Sequence, residues 1–235
     1  MNTQVVIIVI VAFLALDILF YYLIIKRMDR PSPSAAFARA RGFSLIPDAE
    51  GESVGIRLRE RLPLGGGELS DIVRLPLAEA EGYLFTTLPQ ADSHLPRGRE
   101  NQRQFIAVLL ENPLDGGLFI HPPFRPPFSG FKRRRLLAVF KTTTYRPVSA
   151  DRLPPALAGR FRVLVESEKT DPGLLLTPGA VRALTNAPRK RGFALWAGPG
   201  GLIVYINPLL AQEGEVGRFY GFTAELARAL SRGER

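Results

Sequence analysis

Residues 193–206 read FALWAGPGGLIVYI: two short apolar runs joined by Gly198-Pro199-Gly200-Gly201. Runs of this length, rich in aromatic and β-branched residues around a glycine-rich connection, predict an antiparallel hairpin. The next segment, residues 213–231, changes period. Val216, Phe219, Tyr220, Thr223, Leu226, Ala227 and Leu230 recur at spacings of three and four, which predicts an amphipathic helix. Arg228 and Arg232 suit its C-terminal end through the helix dipole. Strands followed by a terminal helix define an α+β class: a mainly antiparallel sheet covered by a C-terminal amphipathic helix.

Upstream of the hairpin, Thr177 and Pro178 open a short helix over 178–185. Phe161, Val163 and Val165 alternate with Arg160, Arg162 and Glu166, a half-buried strand. Residues 136–145 read as another strand, and 105–110 with 118–121 read as a hairpin turning at Asp115-Gly116-Gly117. Residues 72–75 and 83–88 read as two antiparallel strands around a turn at 79–82 that carries Glu79 and Glu81. In residues 56–64 the apolar Ile56, Leu58, Leu62 and Leu64 alternate with Arg57, Arg59 and Arg61, which predicts a strand. Residues 43–46 are a further strand, and 35–41 a short helix capped by Ser34 and stopped by Gly42.

The chain begins differently. Residues 5–25, VVIIVIVAFLALDILFYYLII, are 21 residues with one charge, followed at once by Lys26, Arg27 and Arg30. At about 1.5 Å per residue such a helix spans roughly 31 Å, the thickness of a bilayer core. Basic residues after the run, and none before it, fit an uncleaved anchor rather than a signal peptide. They also place the N-terminus outside and the rest in the cytoplasm of a cell (inner) membrane. The expected organisation is an anchor at 1–28, a Pro/Ser linker at 29–34 and a cytoplasmic α+β domain at 35–235.

Asp17 is the single charge in the run. An acid inside a span marks a functional site by default. Three settings fit it: a polar group on a partner helix, a protonated pair in a homo-oligomer, or water at headgroup depth.

Of the net charge of +9, residues 1–25 contribute one acid and no base, so residues 26–235 carry 31 basic and 21 acidic side chains. A basic domain beside an anionic leaflet gains about 1 kcal/mol per Lys or Arg near the surface. Lys26, Arg27, Arg30 and the run Lys132, Arg133, Arg134, Arg135 are the expected membrane-surface contacts. Phe124, Phe128 and Phe131 precede that run, either as interfacial aromatics or folded back onto the core. No motif with interleaved aromatics points to nucleic acid.

Reactive chemistry is scarce. The chain has no Cys and two His, which excludes thiol nucleophiles and thiolate metal sites. Asp92 and His94 are the weak candidates for a metal, and further ligands would be needed. Neither Gly65-Gly66-Gly67 nor Gly198-Pro199-Gly200-Gly201 has the Lys-Ser/Thr of a phosphate loop. No catalytic residue and no cofactor is expected.

The anchor, the Ala40-Arg41-Gly42-Phe43 helix end, the Tyr83-Leu84-Phe85 strand, Arg103-Gln104-Phe105-Ile106-Ala107-Val108, Phe161-Arg162-Val163, the short helix ending near Leu184 and Gly200-Gly201-Leu202-Ile203-Val204-Tyr205 appear in this order. That arrangement resembles a loose group of uncharacterised bacterial single-pass membrane-anchored proteins. The resemblance implies an α+β cytoplasmic domain and no activity. The expected function is a binding, scaffold or accessory-subunit role at the membrane face. The partners are the anionic bilayer and a membrane protein or a second copy through the span. The alternatives are a membrane-tethered enzyme or small-ligand binder, and an anionic-lipid sensor.

Overall fold

In the computed structural model, eight strands form one antiparallel sheet in the order β1-β2-β3-β8-β7-β4-β6-β5. They are β1 (Glu68–Leu77), β2 (Ala80–Leu88), β3 (Arg103–Leu109), β4 (Leu118–His121), β5 (Arg146–Pro147), β6 (Arg162–Val165), β7 (Gly192–Gly198) and β8 (Gly201–Asn207). Among the described residues of Pro33–Arg235, four α-helices accompany them: α1 (Pro33–Arg41), α2 (Asp48–Arg61), α3 (Pro178–Thr185) and α4 (Glu213–Ser231). The structure describes residues 13–19, 32–77, 80–88, 103–110, 116–123, 140, 145–168, 170–188, 192–207 and 212–231. The chain divides into two units, Met1–Ser32 and Pro33–Arg235.

The β7–β8 hairpin is central. Gly198 pairs with Gly201, and β8 then pairs with β3 from Gly201↔Leu109 to Ile206↔Gln104. The period-2 side-chain alternation of these strands feeds two cores. On one face Leu84, Ile106, Val108, Ile120, Leu195, Val204 and Ile206 lie with Val216, Phe219, Phe222 and Leu226 of α4. Phe37 of α1 and Ala180, Ala183 and Leu184 of α3 join the same core. On the other face Tyr83, Phe85, Phe105, Phe119, Trp196, Ile203 and Tyr205 lie with Val54 and Leu58 of α2 and with Phe140 and Tyr145. Helices therefore cover both faces, which explains why the middle strands are apolar at nearly every position: β3 is buried from Gln104 to Leu109.

The amphipathic helix, the glycine hairpin, the 178–185 helix and the strand around 162–165 stand as expected. The 72–75 and 83–88 strands also pair, as the longer β1 and β2. Thr177 caps α3 by accepting from the Ala180 N–H at 3.2 Å. Removing this bond with Thr177→Ala is expected to cost about 1 kcal/mol. A melting curve should fall by roughly 2–4 °C, and Thr177→Ser should restore it; an unchanged curve would count against the cap.

Four local expectations are corrected. Residues 56–61 belong to a helix, not a strand. Val54 and Leu58 of α2 and Leu62 just beyond it recur every four residues and are buried, while Asp48 and Glu50 occupy the favourable first turn. Ile56, which suggested alternation, is 51% exposed. Residues 43–46 make a single bridge, Leu45↔Val73, because β1 bulges between Ser70 and Val73 and Pro47 ends the pairing. Strands β3 and β4 do not form a hairpin; β8 and β7 lie between them. Ser34 lies inside α1 rather than capping it, and its buried hydroxyl accepts from Gln104 Nε2 at 2.7 Å. The expected strand at 136–145 lies outside the described residues except for Phe140, in a 3-10 turn, and Tyr145.

Candidate functional site

A cleft of about 600 Å³ opens between α2, the start of β2 and the end of β3, lined by Arg57, Arg61, Ala80, Glu81, Leu109, Leu110 and Ser231. Two helix positions four apart share a face, so α2 aims Arg57 and Arg61 the same way. Arg59, half a turn round, instead donates to the Gly67 carbonyl. Leu109 and Leu110, at the end of β3, supply the apolar wall.

Arg57 is held in place from two sides. Its Nη2 lies 2.7 Å from Glu81 Oε2 and donates to the Tyr83 hydroxyl. The Tyr83 hydroxyl in turn donates to Glu81 Oε2 at 3.1 Å. The guanidinium carbon sits 5.7 Å from the Tyr83 ring centroid. Burial pushes the Tyr83 phenol above its usual range; Arg57 pulls the other way, and the hydrogen bond to Glu81 adds to the rise. The hydroxyl therefore remains a protonated donor at neutral pH. Both members of the Arg57–Glu81 pair are about half exposed, so the pair itself is worth under about 1 kcal/mol. Its role is to orient Arg57.

Arg57, Arg61 and Glu81 all line this cleft, so its lining carries an excess of one positive charge. Such a site seats an anion by charge-assisted hydrogen bonds. The Ser231 hydroxyl at its rim already donates to the Ala227 carbonyl at 2.9 Å. Among the described residues no group of three or more His, Cys, Asp and Glu side chains converges on a point.

Of the site residues expected from sequence, only Asp17 is among the described residues. Asp17 lies in a helical stretch, residues 13–19, with its side chain exposed. Lys26, Arg27, Arg30, Asp92, His94, Lys132, Arg133, Arg134 and Arg135 lie outside the described residues. Among the described residues no helix is long and apolar enough to cross a membrane, and most of the 5–25 run is not among them. Of the two acids expected in a turn at 79–82, Glu81 instead stands in β2 and lines the cleft, and Glu79 lies outside the described residues. The arginine cleft was hidden by the strand reading of 56–64, which spreads Arg57, Arg59 and Arg61 along one face. The helix start at Asp48 and the spacing of Val54, Leu58 and Leu62 were the available signals.

No protein family and no curated relative matches this chain. Among solved structures, it is similar to the crystal structure of the mycobacterial trehalose monomycolate transport factor A, TtfA, with a TM-score of 0.50 and 11% identity. The match covers 84% of this chain and 94% of that one. At this identity the likeness concerns the fold: an α+β chain built on a large antiparallel sheet.

Proposed function

We propose that this protein is a single-pass membrane-anchored accessory or scaffold subunit whose basic α+β domain works at the cytoplasmic face of the cell membrane. One observation carries the reading. Phe13, Leu14, Leu16, Ile18 and Leu19 lie in a helical stretch and are each at least 54% exposed. Five large apolar side chains left uncovered within seven residues call for an apolar medium, and the 21-residue run around them is long enough to reach across one. Lys26, Arg27 and Arg30 set the orientation. Asp17, alone among these apolar neighbours, is the contact to a partner span. The neighbour in fold is named a transport factor, and a non-catalytic accessory role suits an anchored domain of this kind.

The test is extraction of the full chain in mild detergent followed by identification of what co-purifies. A defined membrane partner is expected with the wild type, and Asp17→Leu is expected to lower its recovery by at least fivefold while leaving the protein in the membrane fraction. Recovery of a free monomer from both proteins would reject the subunit reading. Digestion of the domain by protease outside intact cells would reject the orientation.

A further inference from the structure

We propose that the α2 cleft is a binding site for a phosphate-type oxyanion, free or carried on a lipid headgroup. Three observations point to it. First, Arg57 and Arg61 are like charges one turn apart, an arrangement that costs a few tenths of a kcal/mol unless an anion lies between them. Second, the end of α2 has more cations than its own dipole needs. The dipole amounts to about half a charge, and Arg59 already serves the neighbouring Gly67 carbonyl. Arg61 has no carboxylate partner among the described residues. Third, Arg57 is preset: the Tyr83 hydroxyl and ring hold its plane, so little side-chain freedom is lost when an anion arrives.

Size leaves room for more than the anion. A cleft of about 600 Å³ far exceeds one phosphate and falls in the range of small-molecule sites. Ala80, Leu109 and Leu110 complete the lining, with both leucines nearly buried, so the charged side chains supply most of the surface a ligand would meet. The same phosphate chemistry occurs on a lipid headgroup and as free phosphate. Glu81 acts as a resident competitor: its carboxylate occupies Arg57 until a stronger anion displaces it. The cleft lies wholly within Pro33–Arg235, so this inference stands or falls apart from the membrane span.

The experiment is calorimetric titration of the full chain in neutral maltoside detergent at low salt, with inorganic phosphate in one arm and dihexanoyl phosphatidic acid in the other. Saturable binding of one equivalent is expected. Arg61→Gln should weaken it at least tenfold, and Glu81→Gln should tighten it severalfold by removing the competitor. Arg218→Gln, an equal loss of charge at an exposed position on α4, should change it less than twofold. Tighter binding of the phosphatidic acid by tenfold or more supports the site and assigns it to lipid; equal affinities support it and assign it to free phosphate. Melting curves of the variants within about 2 °C of wild type show that folding is intact. Absence of saturable binding in both arms, or equal weakening by Arg61→Gln and Arg218→Gln, overturns the proposal.

Discussion

Gly201→Ala is expected to lower the melting temperature of the domain by about 10 °C. Gly201 has φ +144°, which side-chain-bearing residues rarely adopt. A Cβ there would also sit 2.1 Å from the Val108 carbonyl oxygen and 3.1 Å from the Leu110 nitrogen. Both neighbours are backbone of β3 or its end, so no side-chain rotation relieves the clash. The residue is pinned twice, to Gly198 across the hairpin and to Leu109 across the β8–β3 ladder. Backbone strain and the clash together should cost about 3–5 kcal/mol. For a domain of this size each kcal/mol moves the midpoint by roughly 2–4 °C. Trp196, in the paired strand, is the fluorescence probe. A midpoint within about 2 °C of wild type would mean that the tip is not clamped against β3. Gly200 adds a second clamp, since a Cβ on it would meet the Arg61 carbonyl at the end of α2 at 1.9 Å. The hairpin tip thus supports the helix end that presents the cleft.

Phe119→Ala should have a similar effect by another route. Phe119 is fully buried in β4, with ring centroids of Phe140 at 5.1 Å, His121 at 5.6 Å and Tyr145 at 5.7 Å. Truncation leaves a cavity under all three rings and should cost about 3–5 kcal/mol. Phe119→Leu, which refills part of that space, should cost about 1–2 kcal/mol, in line with milder changes of core volume. Ile56→Ala, on the exposed side of α2, should stay within about 0.5 kcal/mol. Chemical denaturation followed by circular dichroism separates the three. Equal midpoints for Phe119→Ala and Ile56→Ala would show that this aromatic face is not core.

The two substitutions also mark what a single chain of letters reveals. Gly201 announced itself, because a glycine cluster between two apolar runs specifies a turn through local backbone freedom alone. The 213–231 helix was equally plain, since nineteen residues repeat one spacing. Residues 56–61 misled for a physical reason. Arg57, Arg59 and Arg61 are spaced two apart, and in a window that short their alternation with Ile56, Leu58, Leu62 and Leu64 masks the four-residue spacing of Leu58 and Leu62. What broke the tie was Val54 and Leu58 docking on the sheet, a contact with distant residues. The cleft inherited that ambiguity, because only a helix turns Arg59 away and leaves Arg57 with Arg61.

Local sequence by itself determined the elements whose signal is contained within them: the β7–β8 hairpin, the capped 178–185 helix, the long terminal helix, and an α+β composition. Tertiary structure alone decided the strand order. The hairpin inserts between β3 and β4, although the glycine turn before β4 pointed to direct pairing. The reason is burial along the whole strand: β3 is seven residues long and covered on both faces, and β8, also seven residues with Leu202 to Ile206 buried throughout, matches it, whereas β4, buried on both sides too, has only four residues. Tertiary structure likewise decided that Glu81 and Tyr83 of β2 meet Arg57 of α2, 26 residues from Tyr83, because only packing of the helix on the sheet brings these charges to one cleft.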